Sequence, residues 1–372
     1  MYKSLRIRNF RGFHDLVLDD LARINLFAGK NNSGKTALLE ALLLLQGVSP
    51  EEVIASLRRV EWQRRWIERP GTERIRTWLP GEMEAEVLLL FNQMDLEEVV
   101  EITSQIGESE RQSLKIAVKK WSAKELKELL EELPSSFIYE DFLRRRPIDR
   151  VFLFEYQARD RNYRIFYIIA KKDSLIISDE LPALGVSSYR GARDLFLTPE
   201  IIGDYGNLEK AGETEIVLQL LKFVEPRIER LVTIYDDRRK EPILYGVMRE
   251  MRHRMPLYVM GDGMIRLVDL GIRLGNARNG ILLIDEFENG LHWSVLPKVW
   301  EALGEIARQL NVQVFATTHS YECVKSAHEA FSKRDSYDFR LYRLEEVEGE
   351  IQAVAYDRET LGIALEARLE VR

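Results

Sequence analysis

The chain reads as an α/β fold built around a parallel sheet, and three stretches impose that reading. Over 24–45, a short apolar strand runs into a glycine-containing loop and then into a leucine-rich helix. Over 281–286, an unbroken apolar run ends in two acids, and over 312–320 another ends in Thr317, Thr318, His319 and Ser320. Continuous rather than alternating apolar strands belong to sheets covered on both faces. Polar groups at strand ends gather along the carboxyl edge, where open α/β sheets hold ligands.

The first element is an alternating stretch over 5–10 that resembles an edge strand, with 13–18 as its hairpin partner. The next strand leads into Gly29-Lys30-Asn31-Asn32-Ser33-Gly34-Lys35-Thr36, which fits Gly-x4-Gly-Lys-Ser/Thr. Gly29, Asn31, Asn32, Ser33 and Gly34 turn backbone N–H groups toward a triphosphate. Lys35 supplies positive charge to the β- and γ-phosphates, and Thr36 offers a hydroxyl to Mg²⁺. Thr36 also opens a helix whose positive end faces the anion.

Beyond the loop, 51–69 is expected to be helical and to end at Pro70-Gly71. Strands are expected over 84–91, 99–106 and 113–120, with a turn over 107–112. A charged helix over 122–133 stops at Pro134. Strand character returns over 148–156 and 163–170, and 213–234 has helical composition with a kink at Pro226. From 256 the α/β pattern resumes: a helix over 263–277, the strand 281–284, a helix over 293–310 and a strand over 312–316. The expected organisation is one discontinuous domain, with a core at 1–120 and 256–372 and a helical/β subdomain inserted at 121–255.

The acids at the end of the 281–284 strand divide the remaining chemistry. Asp285 is suited to hold Mg²⁺, directly or through water. Glu286 is suited to orient and deprotonate an attacking water. His319, at the end of the next strand, is placed to contact a γ-phosphate. Gly261, Asp262 and Gly263 precede a helix and read either as a second anion-binding turn or as a plain helix start.

Composition bounds the partners. A chain of 372 residues that is 45% hydrophobic supports one large domain or two modest ones. A net charge of −7 argues against a surface built globally to coat nucleic acid or an acidic membrane, so DNA contact needs a local patch. One such patch interleaves Arg58, Arg59, Arg64, Arg65, Arg69, Arg74 and Arg76 with Trp62, Trp66 and Trp78. It reads as a partner contact, a nucleic-acid face, or an ordinary packed helix. Arg144, Arg145 and Arg146 form a second basic cluster that reads as a solvated turn. Cys323 is the only cysteine, so no disulfide framework exists. The histidines show no metal-ligand spacing, and no apolar run is long enough to span a bilayer. A cytoplasmic protein is expected.

The order of these motifs resembles the ABC-type ATPases of the SMC/RecF/OLD group, and most of all the OLD-like members grouped with AAA-family ATPases. The resemblance rests on Ile7-Arg8-Asn9-Phe10-Arg11-Gly12-Phe13, the loop at 29–36, Gly261-Asp262-Gly263, 281–286, Glu288-Asn289-Gly290-Leu291-His292 and Thr317-Thr318-His319-Ser320. It implies an ABC-type P-loop ATPase with a mixed sheet core, N-terminal antiparallel strands and a helical/β insertion. It further implies ATP and Mg²⁺ as ligands, Lys35, Glu286 and His319 as catalytic groups, and Thr36 and Asp285 at the metal. A homodimer, at least, would sandwich nucleotide, with Gly261, Asp262 and Gly263 reaching a second subunit's ATP and 288–292 at the seam. The Gly-Asp-Gly signature departs from the transporter-type Ser-Gly-Gly. The family's glutamine loop has two candidates here, Gln93 and Gln157.

SMC proteins carry a long coiled-coil arm and OLD nucleases a Toprim domain. The short helices of the insertion and the short stretch after His319 leave room for neither. The resemblance therefore implies an ATPase-only member, similar to the ATPase subunits of the anti-phage systems PARIS and Septu. Such a member acts as a conformational switch or scaffold with a separate effector, a Toprim-like nuclease or a toxin. The alternative is a DNA-binding ATPase of recombination or repair, similar to RecF.

Overall fold

The computed structural model describes residues 1–46, 90–119, 124, 150–158, 161–170, 173–178, 187–191, 198–238 and 240–372. The expected helices over 51–69 and 122–133, most of the expected strand over 84–91, and both basic clusters lie outside these residues.

The chain begins with β1 (Tyr2–Phe10) and β2 (Phe13–Leu18), an antiparallel hairpin in the register Leu5 to Leu18 and Phe10 to Phe13. β1 is not an edge strand: its other side pairs with β4 (Val100–Ile106), which leaves β2 at the edge. β5 (Glu110–Lys119) follows after a turn shorter than expected. Then come β6 (Arg150–Ala158), β7 (Arg161–Ala170) and β8 (Asp173–Ser178). Together they form a seven-stranded antiparallel sheet in the order β2-β1-β4-β5-β6-β7-β8. Sheet hydrogen bonding thus runs without a break from the N-terminal strands into the 121–255 segment.

The second sheet is mixed. β3 (Ile24–Ala28) lies at its centre, flanked by β14 (Gln313–Thr318) and β15 (Phe339–Val347), both parallel to it. β13 (Ile281–Ile284) pairs parallel with β14, and β9 (Ser187–Arg190) parallel with β13. β16 (Glu350–Tyr356) closes the far side as an antiparallel hairpin with β15. All side chains of β3, β13 and β14 are buried, so these strands are covered on both faces, as their unbroken apolar runs imply.

The two faces pack against different partners. Phe27, Leu283 and Phe315 point toward the antiparallel sheet and α1 (Lys35–Leu45), whose residues from Leu38 onward are all buried. Ile24, Leu26, Leu282, Ile284, Val314 and Ala316 point the other way, into the helical layer. That layer contains α2 (Pro199–Ala211), α3 (Glu215–Lys222), α4 (Asp262–Asn276), α5 (Leu296–Gln309), α6 (Tyr321–Ser332) and α7 (Arg358–Glu366).

The stretch expected as one kinked helix over 213–234 is instead α3, a turn through Pro226, and strand β10 (Ile228–Asp236). Pro226 lacks the N–H a continuing helix needs. Past it, the β-branched run pairs with β11 (Glu241–Met248), in a small sheet that β12 (Met255–Pro256) completes.

Candidate nucleotide site

In the mixed sheet, the carboxyl ends of β3, β14, β13 and β9 lie side by side. β3 runs out at Ala28 into the glycine loop, β14 at Thr318 into His319, and β13 at Ile284 into Asp285. The register sets Arg190 of β9 opposite Ile284, so a further basic residue ends its strand on this edge.

The loop is shaped by backbone. Gly34 has φ +88, and a β-carbon there would stand 2.7 Å from the Phe13 ring. A side chain would therefore be strained and blocked at once. Asn32 also has positive φ, at 66, which asparagine tolerates better than most residues. α1 starts directly after Gly34 with no side-chain cap, so the N–H groups of its first turn are left for another acceptor. Ser33 is buried and its Oγ has no hydrogen-bond partner. Asn31 and Asn32 are exposed. Lys35 Nζ donates to the carbonyls of Gly29 (2.6 Å) and Lys30 (2.8 Å). Burial pulls the Lys35 pKa down, and the nearby charges of Asp285, Glu286 and Glu288 oppose that shift.

The acid edge is shaped by side chains. Asp285 is buried, and two threonine hydroxyls converge on its carboxylate: Thr36 (3.1 Å to Oδ2) and Thr317 (2.7 Å to Oδ1). Thr317 Oγ1 also accepts the backbone N–H of Glu286 at 2.8 Å. Glu286 has φ 50, a left-handed conformation that glutamate rarely adopts. Its carbonyl accepts from Arg266 Nη2 at 2.8 Å, and its Oε2 from Asn289 Nδ2 at 2.5 Å. Backbone N–H, backbone C=O and carboxylate are thus each held by a different residue.

Phe287 anchors the exit of the strand by stacking on Trp300, with centroids 3.7 Å apart, and by donating its N–H to the Thr317 carbonyl. Ser320 caps α6 by accepting the Cys323 N–H at 3.1 Å, which fixes the turn that presents His319. His319 is half-exposed beside Glu288.

The structure brings Thr36, Asp285 and Glu286 into one hydrogen-bonded group with Lys35 beside it. His319 joins the same edge through Glu288, whose charge also reaches Lys35. Gly261, Asp262 and Gly263 stand on the flank of that edge. Gly263 lies against Gly290, whose carbonyl oxygen would be 3.3 Å from a β-carbon at 263. Asp262 is exposed in the first turn of α4. Of the glutamine-loop candidates, Gln93 has positive φ in a short 3-10 turn and Gln157 lies on β6.

Thr317, Arg266, Asn289 and Glu288 do structural work at this edge that only folding defines. Arg266 is 4% exposed and points its guanidinium at the carbonyls of 285, 286 and 287. A charged residue amid the apolar positions of the helix after Gly263 is a sequence signal for it.

The donor set fits a hard divalent cation beside a polyphosphate: a hydroxyl, a buried carboxylate, an uncapped helix start and an orphaned buried serine hydroxyl. Among the described residues no helix is long and apolar enough to cross a membrane.

The chain is similar to several known proteins. The family described as "AAA domain, putative AbiEii toxin, Type IV TA system" matches residues 24–324, a span that holds both the glycine loop and His319. An ATP/GTP phosphatase of Helicobacter pylori is 23% identical over 370 residues and covers 90% of each chain. A DNA replication and repair protein RecF of Heliobacterium modesticaldum is 33% identical over 61 residues, 16% of this chain and 16% of that protein. Among solved structures, an Smc head bound to the C-winged helix domain of ScpA matches with a TM-score of 0.51 at 13% identity, covering 98% of this chain and 99% of that one. That likeness shows the fold: the mixed α/β, ABC-type architecture of an SMC head.

Proposed function

The chain belongs to the AAA domain family that is described with the putative AbiEii toxin of a Type IV TA system, and from that premise we propose that it is an Mg²⁺-dependent ATPase converting ATP and water to ADP and phosphate. The observation that carries this is the Asp285 carboxylate, shared between the Thr36 hydroxyl of the loop and the Thr317 hydroxyl that also holds Glu286. The likeness to an ATP/GTP phosphatase along 90% of the chain supports it.

The backbone of Gly29, Asn31, Asn32, Ser33 and Gly34 cradles the phosphates, and Lys35 leaves its carbonyl partners for the β- and γ-oxygens. Thr36 and Asp285 would hold Mg²⁺, which supplies charge neutralisation to the leaving diphosphate. Glu286 orients the attacking water and takes its proton. The water oxygen bonds to the γ-phosphorus, the bond from phosphorus to the bridging oxygen breaks, and ADP leaves with the electron pair. His319 offers an N–H to the γ-phosphoryl oxygens, where negative charge has to be held.

Gly261, Asp262 and Gly263 reach a second copy's nucleotide, so the working unit is at least a homodimer that closes on ATP and opens on hydrolysis. Segment 121–255 is the inserted part of that machine, and the ATP state is read by a separate effector in an anti-phage role. The local similarity to RecF supports a second reading, in which closure clamps DNA. Turnover stimulated by duplex DNA and lost steeply with salt would select it.

The test is Glu286→Gln. The variant binds ATP, turns over at least about 100-fold more slowly, and accumulates as an ATP-dependent dimer in size-exclusion chromatography. Ordinary turnover in this variant refutes the assignment.

A further inference from the structure

We infer that Glu288 is a positioning residue for His319, a carboxylate that fixes which imidazole nitrogen faces the reacting phosphate; this rests on the ATPase reading of the same edge. The Glu288 side chain is only 12% exposed. Its Oε1 accepts the backbone N–H of His319 at 3.1 Å and lies 3.4 Å from Nδ1 of the same residue. One oxygen therefore touches both the backbone and the ring of His319. The other oxygen, Oε2, is buried without a hydrogen-bond partner.

A carboxylate in that position lacks part of its hydration and gains from any cation beside it. The Lys35 ammonium is within reach of its charge, and the His319 ring lies directly beside it. Glu288 also meets the thiol of Cys323, fully buried, whose pKa burial and the Glu288 charge both push well up, so it stays neutral.

The geometry assigns roles to the two ring nitrogens. Nδ1 faces Glu288, so Nε2, on the opposite side of the ring, is turned away from the carboxylate and stays available on a side chain that is 50% exposed. A neutral imidazole with its proton on Nδ1 presents only a lone pair at Nε2, which repels a phosphate oxygen. To donate to that oxygen the ring must carry a proton on Nε2, while Nδ1 is the nitrogen directed at the Glu288 carboxylate. Glu288 thus sets which nitrogen of His319 is presented to the γ-phosphate without itself touching substrate. It also explains why an acid stands immediately after the Asp285-Glu286-Phe287 turn in addition to the two acids assigned to metal and water.

The experiment compares Glu288→Ala, Glu288→Gln, His319→Ala and the double variant Glu288→Ala/His319→Ala, with wild-type turnover in the presence and absence of Mg²⁺ as the control for the underlying reading. Steady-state ATP turnover is measured on the full chain. Selective ¹⁵N-histidine NMR, with His319 assigned from its loss in His319→Ala, reports the ring protonation without nucleotide. Glu288→Ala should lower kcat by about 10- to 100-fold, the size of effect known for carboxylates that orient metal-bound imidazoles, and change KM much less. Glu288→Gln keeps an acceptor for Nδ1–H but no charge, so it should fall between wild type and Glu288→Ala. In the His319→Ala background Glu288→Ala should cause no further loss of kcat. In the NMR spectrum the Nδ1-protonated signature of His319 in wild type should be lost in Glu288→Ala.

Equal losses of kcat with and without His319, or a His319 spectrum unchanged by Glu288→Ala, overturn the inference. If the wild-type chain shows no Mg²⁺-dependent ATP turnover, the ATPase reading fails instead. The NMR result then still decides whether Glu288 sets the His319 ring.

Discussion

The glycine loop and the acid edge meet where the Thr36 hydroxyl donates to the Asp285 carboxylate, yet they are built by opposite means. The loop is a contiguous stretch shaped by backbone: a left-handed Gly34 pressed on Phe13, and a helix that starts without a side-chain cap. The edge is assembled by side chains from distant elements. Arg266 comes from α4, Thr317 from β14, and Asn289 and Glu288 from the turn after β13. A loop held by backbone tolerates loss of a side chain structurally while losing its chemistry. An edge held by side chains loses both together.

The largest expected effect tests the first half of that contrast. Lys35→Ala removes a charge that is half-buried beside carbonyls and takes part in no core packing. Charge-assisted contacts to phosphate are worth about 1.5–3 kcal/mol each, so ATP affinity should fall about 100-fold, measured by fluorescence titration with a labelled nucleotide. The thermal midpoint should hardly move. Undiminished affinity would remove the loop from the site.

The next tests the second half. Arg266→Ala deletes a buried guanidinium and leaves the carbonyls of 285, 286 and 287 short of a donor. An unsatisfied buried carbonyl costs about 1–3 kcal/mol. The denaturation midpoint should shift accordingly, and turnover should fall because Glu286 loses one of its restraints. Full turnover with reduced stability would mean that Arg266 serves the fold alone.

The contrast also accounts for what could be read from the residues. The loop is legible because its determinants are consecutive and each has one job. The apolar strands at 24–28, 281–284 and 313–318 are legible because burial on both faces leaves unbroken apolar runs. The roles of Arg266, Thr317 and Glu288 are not, since each is defined by what folding brings next to it. Leu218 and Leu231 illustrate the limit: both are buried, one on a helix and one on a strand, within a stretch whose composition suits a single helix. β11 is the pairing partner that decides in favour of strand β10 past Pro226, and it lies further along the chain.

The smallest expected effect separates the two modes of construction within a single hydroxyl. Thr317→Val keeps the shape of a fully buried side chain and removes only the oxygen that joins Asp285 to the Glu286 N–H. The packing of β14 is therefore preserved, and the loss is confined to two hydrogen bonds with nominal values of about 1 kcal/mol each. If those bonds hold Glu286 in its left-handed conformation, kcat should fall about 10-fold while ATP affinity, set by the loop, stays near wild type. A parallel fall in affinity and kcat would show that loop and edge are a single rigid unit, with Thr36 transmitting the loss through Asp285. Unchanged kcat would leave Arg266 and Asn289 as sufficient restraints on Glu286.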